Sequence, residues 1–120
     1  MSLGLDQLVE TLKAAGETTR MRLVALLSAG DLTVTDLTDI LGQSQPRISR
    51  HLKLLLEAGL IERYQEGAWA YFRLKREGEE AAVAASLLLA LSFGDAVVAR
   101  DAERLAAVKR GGATQASEYF

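Results

Sequence analysis

The sequence predicts a mainly α-helical domain that carries one β-hairpin, and three observations support this fold class. Apolar residues recur at helical spacing through the first 60 residues. The spacing then changes to alternation between Ile61 and Leu74, which is typical of two short strands. A nearly continuous apolar segment, residues 81–99, predicts one further long helix. With 120 residues, 49% of them hydrophobic and 25% charged, the chain is large enough for one ordinary globular core.

The stretch from Leu32 to Leu60 is the most informative part of the chain. A first short helix is predicted from about Thr33 to Leu41, and Gly42 ends it because glycine accepts the left-handed backbone of a helix stop. Ser44 is placed to cap a second helix, and Pro46 near its first turn costs no hydrogen bond. Two short helices joined by a tight turn are the layout of a helix-turn-helix, whose second helix enters the DNA major groove.

The second helix, predicted from Gln45 to about Ala58, has two different sides. Its apolar side consists of Ile48, Leu52, Leu55 and Leu56. Its polar side offers hydrogen-bond donors, and the predicted DNA contacts of this region are Ser44, Gln45, Arg47, Ser49, Arg50, His51 and Lys53. Gln45, Arg47, Ser49 and Arg50 are expected at base edges, with Ser44 and Lys53 nearer phosphates. A polar outer face is also what an ordinary surface helix has, and this alternative stays open for the helix taken alone.

Behind this helix, two strands are predicted at Ile61–Gln65 and Trp69–Leu74, with a reversal at residues 66–68. A hairpin in this position is the wing of a winged helix-turn-helix. Arg63 and Arg73 are the candidates for phosphate contacts, which fix the register of a protein on DNA without reading its sequence. For Trp69 and Tyr71, packing against a neighbouring helix is favoured over a DNA contact. Lys75 and Arg76 add to the positive field.

The segment Gly16–Leu74 resembles the ArsR/SmtB family of small bacterial winged-helix repressors. Three motifs in order carry the resemblance: GETTRMRLVALL from Gly16, SQPRISRHLKLLLEAGLI from Ser44, and YQEGAWAYFRL from Tyr64. The resemblance implies a dimeric transcription factor that is released from its operator by a small inducer. It also implies a two-fold interface formed by the first helix, Leu5–Ala15, and the last helix. The expected interface residues are Leu5, Leu8, Leu12, Leu87, Leu88, Leu91 and Val98.

The net charge of −2 is unevenly distributed. Residues 44–76 carry seven basic and three acidic side chains, whereas residues 1–43 carry three basic and six acidic, and residues 77–120 four basic and seven acidic. The positive charge therefore coincides with the predicted helix and wing, and the acidic flanks would orient the approach of DNA. The partners expected are double-stranded DNA and a second copy of the chain.

The apolar segment of residues 81–99 has about the length that a bilayer needs, but Asp95 interrupts it, and an acidic side chain in lipid costs about 2.5–3.5 kcal/mol. A buried helix at a dimer interface fits better than a membrane span. The first 15 residues lack the basic start and apolar block of a signal peptide, so a cytoplasmic location is expected.

The predicted element order is helix (Leu5–Ala15), helix (Thr18–Ser28), helix (Thr33–Leu41), recognition helix, wing, and a long helix from about Gly78 to Val98. Residues 1–99 are expected to form the winged-helix and dimerisation domain, and residues 100–120 a tail or linker. Arg100–Arg110 is expected as a polar amphipathic helix that Gly111-Gly112 breaks, before a weak helical pattern from Ala113 to Phe120. In a subset of the family, the winged helix precedes a methyltransferase that uses S-adenosylmethionine. The chain resembles this subset in its tail and in the motifs GETTR and GQSQPRISRHLK. A stand-alone repressor with a disordered end is the alternative.

The signal that such a protein would sense is not visible in the sequence. The chain contains no cysteine, which excludes thiolate sensing of arsenite, soft metals or redox state, and its single histidine cannot build a usual zinc site. Asp95, Asp101 and Glu103 could hold a hard cation, but solvated carboxylates are favoured. No metal or cofactor is expected. A small organic effector between protomers, a partner domain, or no effector at all remain open.

The leading hypothesis is therefore a sequence-specific DNA-binding regulator, which binds an inverted-repeat operator as a dimer. The alternatives are a winged-helix module that binds another protein, and the N-terminal regulatory domain of a methyltransferase fusion. An enzyme is not expected, since the sequence offers neither a Ser/His/Asp set nor paired carboxylates on an apolar wall.

Overall fold

The computed structural model describes residues 2–119, and the side chains of residues 2–111. Six helices and one two-stranded antiparallel sheet follow each other along the chain. They are α1 (Leu5–Ala15), α2 (Thr18–Ala29), α3 (Val34–Leu41), α4 (Gln45–Glu57), β1 (Ile61–Glu66), β2 (Trp69–Leu74), α5 (Glu79–Ala90) and α6 (Ala96–Tyr119). The predicted fold class, a mainly helical winged helix-turn-helix, is confirmed, with one more helix than expected.

The core lies between α2, α3, α4 and the root of the hairpin. Its fully buried side chains are Leu23, Val24, Leu32, Leu37, Ile40, Ile48, Leu52, Leu55 and Leu60. Three of these, Ile48, Leu52 and Leu55, come from the predicted apolar side of α4. Burial of a leucine or isoleucine side chain contributes about 1.5–3 kcal/mol, so these three hold α4 firmly on the domain.

The wing is a hairpin with a two-residue turn, Gly67-Ala68, between the paired residues Glu66 and Trp69. Gly67 has φ 60°, and a glycine at the first central position is what one of the two common hairpin turns requires. The root of the hairpin is fastened by Leu32, which exchanges two backbone hydrogen bonds of 3.1 and 2.8 Å with Phe72. The wing therefore projects from an anchored base.

The predicted long helix from Gly78 to Val98 is wrong. The structure has two helices instead, α5 and α6, separated by residues 91–95. Asp95 begins the second one, because its Oδ1 accepts hydrogen bonds from the backbone N–H groups of Val97 and Val98 at 2.9 and 3.2 Å. The aspartate that argued against a membrane span is thus a helix cap. None of the described helices is both long enough and apolar enough to cross a bilayer.

Helix α6 packs against the body of the domain. Arg22 on α2 donates two hydrogen bonds to Asp101, at 2.8 and 2.9 Å, and the Asp101 side chain is only 4% exposed. Leu105 is buried in the core. The favoured prediction of solvated carboxylates is therefore wrong for Asp101.

The C-terminal tail differs from the prediction in one further respect. Helix α6 continues through Gly111-Gly112, where a break was expected. Phe120, the end of the predicted pattern from Ala113, lies outside the described residues. The division between residues 1–99 and 100–120 remains a prediction, and it falls inside α6.

Candidate nucleic-acid interface

The turn between α3 and α4 is fixed by local hydrogen bonds. Thr33 and Asp36 form a reciprocal capping box at the start of α3, with both bonds at 3.1 Å. Gly42 ends the helix with φ 66°, a left-handed conformation that side chains other than glycine rarely adopt. Ser44 then caps α4 by accepting a hydrogen bond from the backbone N–H of Arg47. These caps set where α4 starts and therefore which residues point outward.

The outer face of α4 is polar and open to solvent. Arg47, Arg50 and Lys53 are exposed, as is Gln45 in the first turn. Gln45 donates a hydrogen bond of 2.8 Å to the hydroxyl of Ser49, and Lys53 lies 3.9 Å from Glu57 in an exposed pair. Among the side chains of residues 2–111, no acidic partner lies within ion-pair distance of either arginine. Two guanidinium groups are thus held in water by a rigid helix.

His51 is the predicted site residue that points inward. Its imidazole is half-buried, and its Nδ1 lies 3.2 Å from Nη1 of Arg20 on α2 and 3.6 Å from Oε2 of Glu17. The structure packs this side chain against α2, and its predicted contact with DNA stays a prediction. Burial is the largest cause that lowers the pKa of this imidazole, and the charges of Arg20, Arg47 and Arg50 lower it further, while Glu17 opposes them.

The two predicted wing arginines lie on opposite faces of the hairpin. The register pairs Arg63 with Phe72 and Glu62 with Arg73, so Arg63 shares the face of Phe72 and Arg73 lies on the other. Arg73 is engaged within the hairpin, since its Nε is 2.7 Å from Oε1 of Glu62 and its guanidinium stacks 4.7 Å from the ring centre of Tyr64. Arg63 is exposed, and its Nη2 donates to Oε1 of Gln65 at 3.5 Å. The two arginines therefore lie on different faces of the wing.

Packing against a neighbouring helix was favoured for Trp69 and Tyr71, and the structure contradicts this for Trp69. Trp69 at the tip of the hairpin is 58% exposed. Tyr71 stacks on Tyr64 across the strands, with ring centres 5.5 Å apart, and the hydroxyl of Tyr64 donates to Asp31.

The predicted interface residues divide into two groups. Leu5 and Leu12 on α1 are exposed, with 79% and 43% of their surface open, and Leu8 is half-buried. Leu87, Leu88, Leu91 and Val98 are half-buried, and the first two pack partly against the core. Sequence reasoning missed further exposed apolar residues on the same elements, namely Val9, Leu89, Phe93 and Val97. In the sequence, Leu88 and Leu89 belong to the same apolar run, but in the structure Leu89 is 88% exposed whereas Leu88 is half-buried.

A cleft of about 840 Å³ lies beside these residues, between the α1–α2 junction and the α5–α6 junction. Its walls are mainly apolar, from Leu12, Met21, Leu87, Leu91 and Val98, with Glu17, Arg22 and Asp95 at polar positions. Within the described residues, no group of three or more histidine or acidic side chains is placed to hold a metal ion. Asp101, one of the candidate cation ligands, is already bound to Arg22.

Comparison with known proteins gives a consistent result. A family model described as "Bacterial regulatory protein, arsR family" matches residues 17–63. The arsenical resistance operon repressor of Escherichia coli (strain K12) is 46% identical over 67 residues, which are 55% of this chain and 57% of that protein. The crystal structure of a "Possible transcriptional regulator for arsenical resistance" is 36% identical, with a TM-score of 0.58, and the match covers 75% of this chain and 94% of the other.

A further similar structure is the homodimeric winged helix-turn-helix DNA-binding domain of an ArsR-like protein from Mycobacterium bovis. It is 28% identical, with a TM-score of 0.63, and the match covers 72% of this chain and 80% of the other. These relatives are named as regulators of transcription. The chain spans little more than half the length of the E. coli repressor that it matches.

Proposed function

Because the chain belongs to the arsR family of bacterial regulatory proteins, we propose that it is a DNA-binding repressor, which binds an inverted-repeat operator as a homodimer. The observation that carries the proposal is that α4 exposes Arg47 and Arg50 to solvent on one side. The other side of α4 is fixed to the core by Ile48, Leu52 and Leu55. Arginine offers two parallel donors to guanine in the major groove, and each such pair contributes about 1–3 kcal/mol of discrimination. Cytoplasmic action is part of this proposal.

The proposed homodimer uses α1 together with the exposed apolar residues of α5. Leu5, Leu12 and Leu89 expose more apolar surface than an isolated subunit normally leaves in water, and burial against a second copy would remove it. A two-fold axis would then place two copies of α4 on one side of the molecule. Successive major grooves on one face of B-DNA are about 34–36 Å apart, so the dimer must bring the two helices near that separation.

The test is selection of bound fragments from a random duplex library by the purified chain, followed by sequencing. We expect an imperfect inverted repeat to emerge, and a gel shift with that duplex should require Arg47 and Arg50. The Arg100→Ala variant, which changes an exposed arginine on α6, is the matched control and should select the same repeat. Failure of the unmodified chain to enrich any sequence would remove the proposal. It would favour the alternative of a module that binds another protein through the same helix.

The relatives named for arsenical resistance raise the question of the inducer. These 120 residues contain no cysteine, and arsenite binding in proteins relies on thiolates. We therefore expect arsenite to leave the DNA complex of this chain intact. Release of the selected duplex by micromolar arsenite would contradict this expectation.

A small organic effector is the second part of the proposal, and the 840 Å³ cleft beside α1 is the place where it would bind. Apolar parts of such a molecule would pack against Leu12, Leu87 and Leu91, and its polar groups would lie near Glu17, Arg22 and Asp95. If the resemblance to the methyltransferase-linked subset holds, S-adenosylmethionine or S-adenosylhomocysteine is the first candidate. Calorimetric titration of the chain with S-adenosylhomocysteine tests this, and absence of heat would remove that candidate.

A further inference from the structure

A group of polar side chains lies between α4 and the start of α2, where the rest of the contact between these helices is apolar. We call it the polar seam, and it consists of Glu17, Thr19, Arg20, Gln43 and His51. Gln43, in the turn before α4, donates a hydrogen bond of 3.1 Å to the hydroxyl of Thr19. Thr19 itself is buried. The seam therefore joins both the turn and the recognition helix to α2.

Arg20 is the member of the seam that contacts three elements. Its Nε donates to the carbonyl oxygen of Ala14 in the last turn of α1, and its Nη1 donates to Nδ1 of His51 on α4 over 3.2 Å. The same Nη1 lies 3.8 Å from Oε2 of Glu17, whose carboxylate caps α2. An arginine is always protonated in proteins and can only donate. Nδ1 of His51 must therefore be the acceptor, which requires a neutral imidazole with its proton on Nε2.

We propose that Arg20 is a positioning residue for DNA recognition, because its bridge from the end of α1 to His51 fixes the angle between the predicted dimer helix and the recognition helix. The angle matters because the two-fold axis doubles any rotation of α4 relative to α1. A change in this angle alters the separation of the two recognition helices, which must match two successive major grooves. The homodimer and the consequence for DNA binding both rest on the proposed function, whereas the contacts of Arg20 within one protomer do not.

The bridge depends on the charge of His51. The charged groups that face the imidazole are Glu17 and Arg20 from the α2 side, and Arg47 and Arg50 from α4 itself. Once protonated, Nδ1 carries a hydrogen and cannot accept from Arg20, so two cations meet at 3.2 Å. Glu17, 3.6 Å from Nδ1, is the alternative partner. Acidification therefore exchanges the Arg20–His51 contact for a His51–Glu17 ion pair and releases Arg20 from α4.

The direction of the pH effect follows from the pKa values. Burial, Arg20, Arg47 and Arg50 hold the pKa of His51 below its ordinary value of 6.5. For Glu17, burial raises the pKa, but hydrogen bonds from the backbone N–H groups of Arg20 and Thr19, with the charge of His51, outweigh it and leave this pKa lowered. Because the pKa of His51 is lower in the folded protein than in the unfolded chain, the neutral imidazole stabilises the folded state at pH values above the unfolded pKa. This contribution is lost as pH falls through the folded pKa, while Glu17 remains ionised.

The separation of the two recognition helices can be measured without DNA. The chain has no cysteine, so Glu57→Cys at the exposed end of α4 gives one spin-label site per protomer. Pulsed electron spin resonance on the homodimer then yields one interspin distance distribution. At about pH 7.5 we expect Arg20→Met to shift or broaden this distribution by on the order of 1–2 Å, the size of helix shifts in known switches. Arg20→Lys keeps the charge but lacks the forked donors, and it should show the same change. Arg100→Met is the matched control and should leave the distribution unaltered.

A second experiment measures the same distance as a function of pH and leaves Arg20 unsubstituted. It therefore tests the proposal even if Arg20→Met folds poorly. As pH falls from about 7.5 through the folded-state pKa of His51, which lies below its ordinary value, the distribution should change in the Glu57→Cys protein and stay constant when His51→Gln is added. An Arg20→Met distribution equal to that of the parent, or a pH response that persists in His51→Gln, would overturn the proposal. Binding of the selected duplex is measured in parallel. If the parent protein, with no substitution in the polar seam, fails to bind the selected duplex, the proposed function is contradicted. The proposal about Arg20 is still decided by the distance measurements.

Discussion

Helices α4 and α6 both carry several arginine or lysine side chains, but the two helices use them differently. On α4, Arg47 and Arg50 extend into solvent beyond a buried apolar side. On α6, Arg104 donates to the carbonyl oxygen of Ile40 at 3.0 Å, and Lys109 donates to that of Ala29 at 3.3 Å. These carbonyls lie at the C-terminal ends of α3 and α2, where helices have unsatisfied acceptors and a partial negative charge.

The difference shows how local sequence leaves the role of a charge undecided. Arg104 and Lys109 of α6 are bound within the protein, so they act on its stability and fix α6 to the helix-turn-helix. Charges on α4 are available to a partner, because rigid apolar anchoring holds them in water. The following substitutions separate the two roles, from the largest expected effect to the smallest.

Asp101→Ala should have the largest effect. It leaves the Arg22 guanidinium, 14% exposed, without its buried partner, and breaking such a pair costs about 3–5 kcal/mol. Urea denaturation would measure the loss, and DNA affinity per folded molecule should change far less. A double variant, Arg22→Met with Asp101→Leu, should recover most of the stability, since apolar residues often replace a buried ion pair without loss. Unchanged stability of Asp101→Ala would show that α6 is not held by this contact.

Arg50→Ala should show the opposite pattern. We expect a loss of about 1–3 kcal/mol in binding to the selected duplex, together with relaxed specificity at one base position. Its free energy of unfolding should stay within about 0.5 kcal/mol, because the side chain is exposed. Fluorescence anisotropy with the selected and a scrambled duplex measures both quantities, and Arg100→Ala serves as the control. Equal affinity of Arg50→Ala for the selected duplex would break the comparison.

Lys53→Ala should weaken binding to every duplex alike. Loss of one phosphate contact lowers the slope of log affinity against log salt by about 0.9, without a change in sequence preference. The control is Lys13→Ala, another exposed lysine, on α1. An unaltered slope would place Lys53 away from the phosphates.

The two wing arginines should give the smallest and most discriminating effect. Arg63→Ala should lower the salt slope by up to about 0.9, because its guanidinium is exposed. Arg73→Ala should leave the slope alone and lower the stability only slightly, since its partner Glu62 lies at the surface. The reverse result would mean that DNA faces the side of the wing that carries Trp69.

The helix-turn-helix could be predicted from sequence because its boundaries are set locally. Ser44, Pro46 and Gly42 act within four residues of the ends they define, and the structure begins α4 at the predicted Gln45. The apolar spacing of Ile48, Leu52 and Leu55 likewise predicted which side of α4 is buried. A polar face opposite a buried stripe then follows from geometry alone.

The C-terminal part could not be predicted in the same way. Apolar residues continue across the connector of residues 91–95, and hydrophobicity alone does not reveal a helix end there. The local signal was Gly94-Asp95, a helix stop followed by a good N-cap. Asp95 had been weighed as a charge in a membrane and as a cation ligand, but not as a cap. The burial of Asp101 depends on Arg22, 79 residues away, and only tertiary structure brings them together.

The wing gives an intermediate case. Its strands were predicted to within one residue. The pairing of Arg73 with Glu62 depends on the register across the turn, which was not assigned. His51 shows the same limit, since its place on α4 was clear but its inward partner Arg20 was not.

The exposed position of Trp69 at the tip of the hairpin has a practical consequence. It is the one tryptophan in the sequence, so the intrinsic fluorescence of the unlabelled protein comes mainly from a single known site. An indole in water emits at longer wavelength than one that is covered, so anything that closes over the wing tip shifts the emission to the blue. The protein thus contains its own optical probe, three residue pairs along the hairpin from Phe72, which is hydrogen-bonded to Leu32. Occupancy of the wing tip can therefore be followed in real time by stopped-flow mixing.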